Sequence, residues 1–521
     1  MGLTQVHNPS TNHVFGQSGW LIYGALNLAL VLVIIVGASI GGGSLAELPY
    51  VMLMFAICSS PLLSIARFND AFALLGVVMA VNFISFALGD AVAMLSSPKV
   101  VRSGDSLMEA GEVVLVAGML MQLLGGHAGI RLRLALGRSG NPKDWPRSLL
   151  VPLGLLLWTG SCAATLYHSL VVQPENTSQA VVAGFTKLGV WKTSLLILFE
   201  NYAGPLGLVV LSYWWSKWGK RGGNALMLAI IFAQFAVGWV VDTKETAVNA
   251  PVVMLLTRFV VTGRVPLRWL ICSVLGIMLV FPVLTAKRVI MTEGLGLSRV
   301  EALAHMGEII ERAIEERDLA RTSNKYGQKA GTFLERLTDK SAVETFVEHI
   351  GKDKPYKLGS TLQPMLYAFI PRIIWSDKPG ENAALLFNRE FNISADRDTY
   401  ISPTHIGELY WNFGFLGVAV GMALIGLLLG YVFARFDPSR RTSITGVLVL
   451  IVTLYELAVR RGGQIEAEYV VWLRTMALLG LLHLAFARAA ASSAAPANGS
   501  TVLPLADGGM GHSVRFPNLL R

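Results

Sequence analysis

The sequence predicts an all-α fold: a polytopic integral membrane helical bundle of about 12 transmembrane helices with one large helical periplasmic loop. Three observations carry that expectation. Of 521 residues, 53% are hydrophobic and only 15% charged, with a mean hydropathy of +0.54. That leaves too little polar surface for a soluble chain of this size to cover itself. The apolar residues also fall in successive runs of about 17–25, the length that crosses a hydrocarbon core roughly 30 Å thick. Finally, basic residues gather in a few short connections that fall on one side of such a bundle.

The spans are read at 19–41, 47–66, 71–94, 110–130, 148–172, 191–213, 223–241, 249–263, 267–285, 408–434, 444–460 and 468–487. The eighth is short enough to be re-entrant. The first 18 residues lack the basic start of a secretory signal, and the run from Trp20 is too long for one, so it reads as a retained helix. Arg131, Arg133, Arg138, Lys143 and Arg147 lie between spans four and five. Lys217, Lys220 and Arg221 follow span six, Arg264 and Arg268 follow span eight, and Arg435, Arg440 and Arg441 follow span ten. All four clusters share one side if both termini are cytoplasmic, as the positive-inside rule asks. Cys58, Cys162 and Cys272 sit inside apolar runs, so no disulfide framework or Cys metal site is expected.

The same register divides the chain into N-terminal helices 1–285, a periplasmic loop 286–407, C-terminal helices 408–488 and a disordered cytoplasmic tail 489–521. The loop holds 17 acidic and 17 basic residues, so the chain's excess of +9 lies outside it, largely facing the cytoplasm. That excess reflects topology and not a nucleic-acid partner, which would need a clustered basic surface on a soluble domain. Within the loop, Ser298-Arg-Val-Glu301 reads as a capping box before Leu303, Met306, Ile310 and Ile314 at helical spacing. Ser341-Ala-Val-Glu344 caps a second short helix. The apolar stretch from Thr361 to Ile374 is too short to span and is expected to lie at the interface or dip back in.

Candidate chemistry concentrates at the outer face. Arg372 and Lys378 bracket Trp375 in Ile370-Pro-Arg-Ile-Ile-Trp-Ser-Asp-Lys-Pro379. Two cations with an aromatic suit a phosphate or pyrophosphate headgroup; snorkelling onto ordinary anionic membrane lipid is the plainer alternative. His405 and Glu408 are spaced i, i+3 at the mouth of span ten. A His there can take a proton from an attacking hydroxyl, with the carboxylate orienting it; capping and the helix dipole are the structural alternative. Tyr410 and Asn412 can hydrogen-bond a sugar, while Trp411 and Phe413 suit an interfacial aromatic belt. Arg460 and Arg461 end span eleven and Arg474 lies early in span twelve, with Glu456, Glu466 and Glu468 as counter-charges or a ligand phosphate in their place. Lys244 and Arg288 are weaker candidates of that kind. Gly417/Gly421 and Gly426/Gly430 are small pairs at the spacing of close helix packing. No Walker loop, HExxH or GxSxG is present, so neither metal nor cofactor is expected. His127, His168 and His483 stand alone on spans and are expected to pack within the bundle.

Many spans, one large late loop, the Pro-Arg-Ile-Ile-Trp-x-Asp-Lys-Pro segment, Gly407-Glu-Leu-Tyr-Trp-Asn-Phe-Gly-Phe-Leu-Gly417 opening the next helix, and Arg461-Gly462 beyond it resemble the bacterial O-antigen polymerases (oligosaccharide repeat-unit polymerases of the Wzy type). The motif resemblance covers about residues 365–465, and Ser376 stands where the pattern has Pro. The related O-antigen ligases carry a His in the late periplasmic loop, where His405 stands. The resemblance implies a metal-independent glycosyltransferase of the membrane-embedded GT-C type in the bacterial inner membrane. Such an enzyme moves a glycan from an undecaprenyl-pyrophosphate donor onto a lipid-linked acceptor at the periplasmic face. Arg372, Lys378, Arg461 and Arg288 would neutralise the leaving pyrophosphate, and His405 or Glu408 would activate the acceptor hydroxyl. Its partners would be undecaprenyl-pyrophosphate-linked oligosaccharides, a chain-length regulator and a flippase. A ligase is the alternative within the enzyme class, and a polysaccharide transporter or flippase the alternative outside it. The transporter lacks support from any symmetry between spans one to six and seven to twelve.

Overall fold

The structure, a computed structural model, describes residues 19–41, 45–96, 107–136, 144–172, 192, 195–196, 198–219, 221–241, 244–273, 275–276, 305, 307, 311, 339–367, 370, 375, 382–394, 397, 399–440, 442–459 and 464–493. Among these the protein is all-helical; no strand forms, only an isolated bridge between Ile350 and Lys354. The helices are α1 (Gly19–Gly41), α2 (Leu48–Ser59), α3 (Ala71–Phe86), α4 (Leu88–Ser96), α5 (Ala110–Ala135), α6 (Arg147–Tyr167), α7 (Gly204–Trp218), α8 (Arg221–Val241) and α9 (Lys244–Thr262). They continue with α10 (Lys340–His349), α11 (Pro364–Tyr367), α12 (Ala383–Phe391), α13 (His405–Arg435), α14 (Ile444–Leu454) and α15 (Ile465–Ser493). Wide π turns extend α6 over His168–Val172, precede α7 over Leu198–Ala203 and extend α14 over Tyr455–Val459.

Five described helices are long and apolar enough to cross a membrane: Ala110–Ala135, Arg147–Val172, Gly222–Val241, His405–Arg435 and Ile465–Phe486. Five shorter apolar helices cover Tyr23–Ser39, Leu48–Ser64, Ala71–Phe86, Thr246–Thr262 and Ile444–Ala458. Two expected spans are broken. The run 71–94 divides at Ala87 into α3 and α4. Span ten divides at Gly414, whose φ of 64° is open to glycine and costly for other residues. The tail boundary also moves: α15 runs to Ser493, past residue 489, and 494–521 lie outside the described residues.

The main seam of the bundle joins α5 to α13. Cβ atoms built at Gly125 and Gly129 would come 2.0 and 2.1 Å from the carbonyl oxygens of Ala423 and Leu427. Those built at Gly426 and Gly430 would come 2.0 Å from the carbonyls of Gln122 and Gly126. Backbone thus lies on backbone, which only glycine permits. Gly417 and Gly421 serve a different contact, within α13 itself: a Cβ at Gly421 would meet the Leu409 side chain at 2.5 Å. In a straight helix, twelve residues would separate those positions by about 18 Å. The segment before Gly414 therefore turns back against the segment after it.

The two ends of the bundle differ. At one end the short connections carry the basic residues: Arg67 donates to the Ser439 carbonyl (2.6 Å) and Lys217 to the Thr442 carbonyl (3.2 Å). Asp144 there accepts from the Tyr213 hydroxyl and the Ile444 amide, both at 2.9 Å. The other end carries the described part of the late loop. Helix α10 docks where α2 and α5 begin and α3 ends, with the Asp339 amide donating to the Ser85 carbonyl at 2.8 Å. Its buried Lys340 reaches four carboxylates: Glu112 at 2.9 Å, Asp90 at 3.1 Å, Glu47 at 3.3 Å and Glu344 at 3.5 Å. This corrects the expected cap: Asp339, not Ser341, precedes the helix, and Glu344 pairs with Lys340 one turn back.

One ammonium cannot neutralise four carboxylates, so the cluster favours bound protons. Burial raises the Glu344 carboxyl above its ordinary value, and the adjacent Lys340 ammonium opposes that rise.

Candidate functional site

The site forms where the short first segment of α13 meets the start of α15. Thr404 caps α13, its hydroxyl accepting from the Gly407 amide at 3.1 Å, and it holds a φ of 59° that β-branched residues avoid. The cap leaves His405 as the first helical residue. Gly407 admits the Phe346 ring, which a Cβ would meet at 2.8 Å. Phe346, Phe387, Phe391 and Trp411 then form an aromatic cluster binding α10 and α12 to this segment, with Phe346 stacked on Trp411 at 5.1 Å. Trp411 is thus buried and does not join the expected interfacial belt, whereas Phe413 is exposed.

The break at Gly414 frees carbonyls that a continuous helix would satisfy. Residues 357–359 supply the donors: the Lys357 amide to the Trp411 carbonyl (3.0 Å) and the Leu358 amide to the Asn412 carbonyl (3.1 Å). The Gly359 amide donates to the Asn412 side-chain oxygen at 2.8 Å. Lys357 also pairs with Glu390 and covers the Trp411 ring at 5.3 Å.

His405 Nε2 lies 2.6 Å from Glu468 Oε2 on α15, and both side chains are buried, at 8% and 5% exposure. The carboxylate that meets His405 is therefore Glu468 and not Glu408. Glu408 is fully buried, accepting from the Thr361 hydroxyl and the Ile465 amide, each at 2.7 Å. Asn412 is also fully buried, donating to Thr361 Oγ1 (2.7 Å) and to the Glu408 carbonyl (2.8 Å). With Gly359 on its oxygen, its amide ties the 357–361 segment to the helix and faces no open space, contrary to the sugar-binding expectation. Tyr410 is half-buried between the two hydrophobic clusters.

Gln464 extends the joint, accepting from the Ala384 amide at the start of α12 at 3.0 Å. About 10 Å further along α15, two helical turns from Glu468, Thr475 lines a narrow crevice with Tyr202, Tyr455 and Glu456. Two of the three described π turns border this crevice.

Arg474 is exposed on α15, and Trp375 is exposed with its ring 5.6 Å from that of Tyr367. Lys244 is the first residue of α9. Arg288, Arg372, Lys378, Arg460 and Arg461 lie outside the described residues, as do the expected capping box at 298–301 and most of the helix after it. The isolated histidines pair locally: His127 Nδ1 lies 3.0 Å from the Leu123 carbonyl and His483 Nδ1 3.0 Å from Thr445. His168 lies 2.8 Å from Glu200, across two π turns. Glu468 was legible as a carboxylate at the right depth, though assigned to nearby arginines. Thr361 and Gln464 carried no signal, since their role comes from chain segments distant in sequence. Among the described residues no cluster of His, Cys, Asp and Glu suited to a metal forms.

Residues 218–484 match the family model described as Domain of unknown function (DUF8712). No curated protein and no solved structure matches the chain.

Proposed function

The chain belongs to the DUF8712 family, and from its own residues we propose that it is a membrane glycosyltransferase that polymerises lipid-linked oligosaccharide repeat units. The observation that carries this reading is the buried His405–Glu468 pair, contributed by two helices at the bundle end opposite the basic connections. By the positive-inside rule that end faces away from the cytoplasm, as expected of an inner-membrane protein whose termini are cytoplasmic. If neutral His405 donates Nε2–H to Glu468, Nδ1 carries the lone pair that accepts the proton of an acceptor hydroxyl. The carboxylate then stabilises the imidazolium as the oxygen attacks the anomeric carbon. The bond from that carbon to the pyrophosphate oxygen breaks, and cations offset the charge that develops there. Arg460 and Arg461 stand within four residues of Gln464 in sequence, and Arg372 and Lys378 within twelve of Ala383, so both cationic segments adjoin, in sequence, elements that meet at Gln464, four residues before Glu468.

A strain lacking the protein, complemented with variants, tests this by its polysaccharide ladder on a gel. His405→Ala, Glu468→Gln, Arg372→Ala and Arg461→Ala are each expected to abolish the ladder while inserting at normal levels. Removing a general base typically costs roughly 10²–10⁴-fold in rate. Full ladders from His405→Ala and Glu468→Gln would remove the site, and an unchanged ladder in the deletion strain would remove the polymerase. A surface core bearing no repeat unit at all, instead of one, would favour the ligase.

A further inference from the structure

Glu408 has the look of a catalytic carboxylate, yet its surroundings give it other work. We infer that Glu408 is a positioning residue: it anchors the first turn of α15 and thereby sets Glu468 against His405. The inference rests on the proposed role of the His405–Glu468 pair. Ile465 opens α15, so its amide is one of the first-turn donors that no helix carbonyl can satisfy. Glu408 Oε2 takes that donor at 2.7 Å, and a carboxylate there also suits the positive end of the helix dipole. The Glu468 amide closes the first turn onto the Gln464 carbonyl at 3.2 Å, which places Glu468 one turn beyond the anchored residue. From that turn its side chain reaches back to His405, itself one turn before Glu408 on α13. Two reciprocal contacts thus join the helices, each carboxylate gripping the start of the other helix. The second oxygen of Glu408 is held by the Thr361 hydroxyl, which Asn412 also holds. Both oxygens are engaged and the side chain is fully buried, so neither faces open space.

The test pairs the ladder with a readout independent of it: diethyl pyrocarbonate labelling of each histidine in purified protein, read by mass spectrometry. Glu408→Gln keeps a side-chain oxygen for the Ile465 N–H and turns its amide N–H onto Thr361 Oγ1, which then accepts, so His405 should label within about threefold of wild type and the ladder should persist. Glu408→Ala should raise His405 labelling at least about tenfold, toward the level of Glu468→Gln, and shorten or remove the ladder. Exposed His349, paired with Asp353, should label equally in all variants, which separates local displacement from unfolding. Loss of the ladder in Glu408→Gln with His405 labelling at the wild-type level would overturn the inference in favour of direct chemistry. Unchanged His405 labelling in Glu408→Ala would also overturn it. Should His405→Ala and Glu468→Gln both keep full ladders while the labelling pattern holds, the positioning role stands and the proposed reaction falls.

Discussion

Lys340→Met will release α10 from the membrane bundle. The Lys340 ammonium lies within 3.5 Å of Glu112, Asp90, Glu47 and Glu344 and 4.7 Å above the Tyr50 ring, and it is 7% exposed. Removing one partner of a buried ion pair strands its counter-charge at a cost of about 3–5 kcal/mol. Here several carboxylates face one another once the cation is gone, so the loss belongs at the upper end of that range, eased by proton uptake. Hydrogen exchange of residues 339–350 in detergent or nanodiscs should accelerate by roughly 10³-fold, while α5 and α13 keep their protection. Combining Lys340→Met with Glu112→Gln should recover part of the loss, because neighbours that share charge are not additive. Exchange at the wild-type rate in the single variant would show that α10 is held by its apolar contacts alone.

The second large effect belongs to the seam between α5 and α13. Gly426→Ala places a methyl 2.0 Å from the Gln122 carbonyl oxygen, and Gly129→Ala one 2.1 Å from that of Leu427. A backbone oxygen cannot swing aside as a side chain can, so the whole helix must move. Overpacking costs typically 1–3 kcal/mol, and each variant is expected to lose about 3 kcal/mol. Lipid chains solvate a separated helix as well as its neighbour does, so close packing carries much of the association. Gly24→Ala and Gly480→Ala are the controls: nothing lies within 4 Å of either Cβ position, and alanine's helix propensity should add up to about 1 kcal/mol. Thermal melting in one detergent checks the series. Equal melting of Gly426→Ala and Gly480→Ala would show that the seam relaxes freely.

Apolar run length alone was enough to locate most helices. The run beginning at Gly19 becomes a helix ending at Gly41, and those after Arg147 and Gly222 become long apolar helices within a residue or two of their expected limits. Burying an unpaired peptide group in hydrocarbon costs several kcal/mol, so a long apolar stretch has little choice but to be helical. Gly426 and Gly430 likewise announced close packing through their spacing. Their partner on α5 was invisible, because spacing on one helix carries no information about which surface it meets. The same limit hid the site. His405 and Glu408 stood out as ionisable groups at the mouth of a span, but one turn of separation suggested a pair that the fold does not make. The break at Gly414, Glu468 against His405 and the Ile465 amide on Glu408 each join residues far apart in sequence or turn on a single backbone dihedral. Lys340 gave still less warning: its carboxylates are scattered from residue 47 to residue 344. Hydropathy is a local, additive property of the chain and can be read along it, whereas the partner of a charge is chosen by whichever helices pack together.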